Sequence, residues 1–141
     1  MSYERLLQEH DRIDRALARL QKLNDATVPD VPAISHALAA LSAELTDHHT
    51  REDGFIYPRM IASAAGNLSS IAQRFLDELD PLAKDLQTYL VEWLPEGIAG
   101  DWDGFKRDTE AMIARLSARI HAENTVLYTA ALGHGLIRLR A

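Results

Sequence analysis

Residues 34–58 read ISHALAALSAELTDHHTREDGFIYP, and one stripe runs through them. Ile34, Leu38, Leu41, Leu45, His48, Glu52 and Ile56 recur at steps of three and four, the spacing that puts side chains on one face of an α-helix. The stripe is apolar except at two successive turns, where His48 and Glu52 form a His-x-x-x-Glu pair. That spacing stacks an imidazole on a carboxylate, both turned toward whatever the apolar face covers. Pro32 suits the first turn of such a helix. Pro58 must kink it or remove a hydrogen bond, and residues 60–65 can continue helical up to Gly66.

Three further segments carry the same period. In residues 2–23, Leu6, His10, Ile13, Leu17 and Leu20 share a face, and NDATVPDVP at 24–32 reads as a connector. A third segment opens at Asn67, a favourable N-cap. Its stripe is Leu68, Ile71, Phe75, Leu79, Leu82, Leu86 and Tyr89; Pro81 is expected to bend it, and LPEGIAG at 94–100 to end it. The fourth starts near Asp101 or Asp103 and carries Phe105, Met112, Leu116, Ile120, Glu123 and Leu127 on one face. With only 7 glycines in 141 residues and no β-branched runs, the expectation is an all-α, up-down-up-down four-helix bundle. It forms a single domain over residues 1–141, with 131–141 as a looser tail.

Composition narrows the function. Hydrophobic residues at 47% and charged residues at 26% are the balance of a soluble globular chain. The absence of cysteine excludes disulfides, thiolate metal sites, cysteine-ligated iron–sulfur clusters and cysteine nucleophiles. A net charge of −6 argues against a nucleic-acid partner, which needs a basic face. No secretory signal opens the chain, and no window approaches the ~18 apolar residues of a membrane span. A cytoplasmic protein without a membrane partner is the expectation. No nucleophile elbow, phosphate loop or paired-carboxylate hydrolase signature is present, and the one GxG (Gly133, Gly135) lacks a strand–turn–helix setting.

The chemistry lies where polar residues interrupt the stripes: His10 between Leu6 and Ile13, His48 and Glu52 between Leu45 and Ile56, Glu123 between Ile120 and Leu127. His10 is near the start of the first helix, and the other three near the ends of the second and fourth. In an antiparallel bundle all four meet near one end. Buried carboxylates cost several kcal/mol unless paired or bound to a cation. A divalent metal is one such partner, and imidazole with carboxylate suits iron, zinc or manganese.

Glu9–His10, HHTREDGFIYP at 48–58 and RIHAENTVLY at 119–128 resemble the hemerythrin-like, or HHE cation-binding, domains. The resemblance covers nearly the whole chain in helix order and length. It implies a four-helix bundle around a non-heme di-iron site, in proteins that bind oxygen, sense oxygen or iron, or handle nitric oxide and peroxide. By position His10, His48 and Glu52 match the implied ligands, and Glu123 matches the carboxylate of the fourth helix. Two ligands are missing. No histidine lies between His49 and His121, so the third helix offers none, and Arg119 stands where a histidine would precede Glu123 by four. His121, two residues from Glu123, falls about 200° round the helix and should face away.

The expected centre is therefore a reduced metal site of His10, His48, Glu52 and Glu123, for metal binding or sensing rather than oxygen transport. The missing histidines argue against a di-iron redox enzyme. A second arrangement stays open: a metal-free bundle, acting through its surface, in which an inward Arg119 pairs with the buried carboxylates. Arg74, one turn before Glu78, could serve likewise, and Glu78 could be a reserve ligand. Tyr57 and Tyr128, in matching places after Glu52 and Glu123, are expected to cover the polar end. His36 and His134 are read as surface residues, His49 as a surface residue with a spare ligand as the alternative, and Tyr89, Trp93, Trp102 and Phe105 as a plug at the far end. Monomer and homodimer are both open.

Overall fold

A computed structural model describes residues 1–140, so the last residue of the expected tail, Ala141, lies outside the described residues. The elements are α1 (Tyr3–Asn24), α2 (Val31–Arg51), α3 (Tyr57–Ala62), α4 (Leu68–Glu92), α5 (Pro95–Gly100), α6 (Trp102–Ala122) and α7 (Tyr128–Gly133). A π-helical turn, Glu52–Ile56, joins α2 to α3, and a second, Glu123–Leu127, joins α6 to α7. The long helical spans are thus four, as the stripes indicate: α1, 31–62, α4 and 102–133. The stretch 94–100, read as a terminator, instead contains a short helix whose Ile98 is buried.

Side-chain caps fix the starts of α1, α2 and α6, whereas Asn67 at the start of α4 makes no side-chain cap bond. Ser2 Oγ accepts from Arg5 N at 3.2 Å, Asp30 Oδ1 from Ala33 N at 3.2 Å and Asp101 Oδ1 from Gly104 N at 2.9 Å. Each satisfies one of the amide groups that a helix N-terminus leaves free. The helices alternate in direction. Arg12 meets Glu44 about one turn from where Glu9 meets His48, so α1 and α2 are antiparallel. Asn24 at the end of α1 donates to Lys106 O near the start of α6. Tyr89, near the end of α4, bonds Thr109 near the start of α6, whereas Arg119 near the end of α6 reaches Phe75 near the start of α4.

The core divides in two. One apolar cluster holds Ile13, Leu17, Leu41, Leu45, Leu116 and Ile120 among others. The second holds Leu6, Ile56, Met60, Leu68, Phe75 and Leu127. Each polar interruption falls between a member of one cluster and a member of the other. The ionisable residues therefore form an internal layer, not the end of the bundle that antiparallel reasoning suggests. Beyond that layer α3, α7 and the C-terminal segment build the second cluster. Ile137 is buried in it, and Tyr3 N–H donates to Arg138 O at 2.6 Å.

Burial follows the stripes on α1, α2 and α6 completely, but Ile71, Leu79 and Leu86 on α4 are only half-buried. Leu79 and Leu86 border a cavity of about 160 Å³ that also touches Leu45, His49, Leu116 and Arg119. At the far end Phe105 stacks with Trp102 at 5.7 Å and meets Trp93 edge-on at 5.6 Å. No helix among the described residues is long and apolar enough to cross a membrane. Phe105 is fully buried at this aromatic junction. Phe105→Ala is expected to lower unfolding stability by about 3–5 kcal/mol, read from the denaturant midpoint against exposed Val28→Ala, which should change little.

Candidate metal centre

The two π-turns shape this centre. In a regular α-helix, residues five apart lie about 140° from each other around the axis. A π-turn adds a residue, and its i→i−5 hydrogen bond brings position i+5 back over position i. Tyr57 N–H donates to Glu52 O, and Tyr128 N–H to Glu123 O. Each tyrosine thereby shares the inward face with the glutamate five residues before it. Pro58, which has no amide to donate, follows the first turn directly, but Thr129 occupies the matching place after the second. Proline is therefore not required for the insertion. Tyr57 and Tyr128 are 2% and 0% exposed and sit within the core rather than covering its end, contrary to the sequence expectation.

The four expected residues converge. His10, His48, Glu52 and Glu123 are all buried, and one candidate ligand atom from each lies within 4.8 Å of the others. His10 Nε2 is 2.9 Å from His48 Nε2 and 2.9 Å from Glu123 Oε1, and His48 Nε2 is 3.1 Å from Glu123 Oε1 and 3.3 Å from Glu52 Oε2. Both histidines are held from behind. His10 Nδ1–H donates to Asn124 Oδ1 at 2.6 Å and His48 Nδ1–H to Glu9 Oε1 at 2.9 Å. That arrangement turns both Nε2 atoms to the centre, as second partners do for metal-binding histidines. Glu9 is itself buried and paired with Arg51.

Arg119 closes one side. It is 8% exposed, and its Nε donates to Glu123 Oε2 at 2.7 Å, Nη1 to Phe75 O at 2.7 Å and Nη2 to Tyr57 Oη at 2.7 Å. A guanidinium thus neutralises Glu123 from the α4 side, where a third-helix histidine is lacking. Arg74 does not take part: its pair with Glu78 at 3.8 Å is exposed on both sides, which also removes Glu78 as a reserve ligand. One residue off the stripe, on the outer face of α4, these two side chains reach water instead. His49, read as a surface residue, is half-buried beside Arg119 at the cavity. His36, His121 and His134 are exposed.

Glu52 carries the imbalance. Its Oε2 accepts from Tyr128 Oη at 2.7 Å, but its buried Oε1 has no hydrogen-bond partner. Burial and the neighbouring Glu123 charge push its carboxyl up to about 7. Burial works against the ionised form of Glu123 too, yet hydrogen bonds from His10 and His48 hold it well below the usual carboxylate range. Burial alone would depress His48, but hydrogen bonds to Glu123 and Glu52 outweigh it and hold the imidazolium up to about 11. Burial and both glutamates push the Tyr128 hydroxyl far above its ordinary range. The centre therefore keeps a proton where a cation could stand, together with a carboxylate oxygen still lacking a partner. Two imidazole nitrogens and carboxylate oxygens are a donor set that fits a divalent transition metal.

The family model described as hemerythrin HHE cation binding domain matches residues 1–131. The chain belongs to this family. No curated protein and no solved structure matches it. As an HHE domain it has a buried His/Glu group that could hold a metal, and it has an arginine beside that group. The stripes pointed to the four convergent residues. Glu9, Arg51 and Asn124 went unassigned, although Glu9 and Asn124 directly adjoin His10 and Glu123. The one sequence signal for the tyrosines was the repeated Glu-x-x-x-x-Tyr spacing, which an α-helix would not turn inward.

Removing the guanidinium leaves Glu123 buried beside one partner fewer. Arg119→Ala is expected to cost about 3–5 kcal/mol of unfolding free energy, and exposed Arg74→Ala less than about 0.5 kcal/mol. Parallel urea titrations of the two variants measure the difference.

Proposed function

We propose that this HHE domain binds a single divalent transition-metal ion, iron in the first instance and zinc or manganese as alternatives. Its ligands would be His10, His48, Glu52 and Glu123, and its role metal binding or sensing rather than oxygen transport. The observation that carries this reading is the pair of histidines whose Nδ1–H groups are engaged by Asn124 and Glu9, leaving both Nε2 atoms beside Glu123 Oε1. The unpartnered Glu52 Oε1 is a second support. When bound, such an ion would supply Lewis acidity and, as iron, one-electron chemistry.

The single-ion reading follows from Arg119. Its positive charge lies on Glu123 Oε2, the oxygen that would otherwise be available to a second ion. Chemistry that requires two metals lacks that position here. The metal-free interaction module is the alternative, and the observation favouring it is that all three Arg119 nitrogens have acceptors within the fold.

Protein purified without chelator and titrated with iron(II) or zinc is expected to take up about one ion per chain, and His48→Ala and Glu52→Ala to abolish uptake. His48 holds its proton up to about 11. Below that value the ion must displace it, so uptake near neutrality should release protons and strengthen as the pH rises. Calorimetry in buffers of different ionisation enthalpy reads that release. A protein that takes up no ion, and melts at the same temperature with and without iron, supports the metal-free alternative.

A further inference from the structure

Tyr128 Oη lies 2.9 Å from His10 Nε2, 3.1 Å from His48 Nε2, 2.7 Å from Glu52 Oε2 and 3.3 Å from Glu123 Oε1. An oxygen so surrounded either fills the centre of the group or forms one corner of it. The distances among the other atoms decide between these. An atom at the centre of a tetrahedron, about 3 Å from every corner, would hold the corners about 5 Å apart. Instead His10 Nε2, His48 Nε2 and Glu123 Oε1 are 2.9–3.1 Å from one another. They are as close to each other as to the phenol oxygen, so that oxygen is a fourth corner. Tetrahedral ligation at ~2.0–2.1 Å needs edges of about 3.3–3.4 Å, which the set reaches by expanding about 0.3 Å.

We propose that Tyr128 Oη is itself a ligand atom, adding one oxygen donor to His10, His48, Glu123 and Glu52 around a single ion. This rests on the single-ion reading above. The hydroxyl hydrogen is directed to Glu52 Oε2, which leaves the oxygen lone pairs facing the two histidine nitrogens. As the oxygen–ion bond forms, the O–H bond breaks and its proton passes to Glu52 and from there to buffer. The ring is fixed for this role by stacking on His10 at 5.0 Å. Tyr57 has the same spacing from its glutamate but accepts from Arg119, so it is no ligand and serves as the control.

The test loads the full chain with iron(II), oxidises it to iron(III) with ferricyanide and records the visible spectrum. An intense phenolate-to-iron charge-transfer band is expected. It should persist in Tyr57→Phe and Tyr3→Phe and vanish in Tyr128→Phe, which should still bind zinc, more weakly than the unaltered protein. Should Tyr128→Phe not fold, resonance Raman scattering excited in the band reads the same ligand. Phenolate ring modes in the unaltered protein and in both control variants support the proposal. Bound iron(III) without phenolate modes, or an unchanged band in Tyr128→Phe, overturns it while leaving the single-ion site intact. Failure to bind either ion overturns both.

Discussion

Glu123 is the carboxylate on which the interior depends. It is wholly buried between two apolar clusters, and two nitrogen-bearing systems share it: Arg119 on Oε2, His10 and His48 on Oε1. A carboxylate so far from water is tolerated only with such compensation. The guanidinium is in turn held by Phe75 O and Tyr57 Oη, which ties α4 and α3 to α6. One buried charge thus sets the register of three elements. Glu9 and Arg51 repeat the device at the edge of the layer. Glu52 is the exception, since one of its oxygens has no partner. A proton on His48 offsets part of its charge, and a divalent ion would offset more.

The layer has an approximate internal symmetry. His48, Glu52 and Tyr57 on one span match Arg119, Glu123 and Tyr128 on the other, each triplet with a π-turn after its glutamate. The tyrosines cross over. Tyr128 reaches His48 and Glu52, and Tyr57 reaches Arg119. The one position where the triplets differ, imidazole against guanidinium, divides the interior into a side suited to a cation and a side that already contains one. Arginine is always charged and cannot ligate, so this difference is chemical as well as geometric. The cavity bordered by His49 and Arg119 lies on the arginine side and is lined by none of the four clustered residues.

Much of this could be read in the chain. The period of apolar residues defined the helical spans, and four ionisable residues on those stripes converge as their spacing implies. Arg119 faces inward because it keeps the i, i+4 relation to Glu123 that His48 keeps to Glu52. Other features were hidden for physical reasons. A π-turn leaves no mark in a pattern read at 3.6 residues per turn, and that period turns Tyr57 and Tyr128 away from the inward face. Asn124 and Glu9 lie one residue off their stripes, where the period assigns a flank rather than the interior. The chain beyond each π-turn builds a second apolar cluster, which makes the polar set an internal layer and not an end. That closure is tertiary, formed by α3, α7 and Ile137, and no local pattern encodes it.

Anomalous diffraction from crystals equilibrated with iron or zinc, recorded at the absorption edge of the metal, tests the central claim most directly. The account predicts one peak per chain, enclosed by His10, His48, Glu52, Glu123 and Tyr128, with Arg119 still on Glu123. Two peaks per chain, or a peak that displaces Arg119 from Glu123, would contradict it.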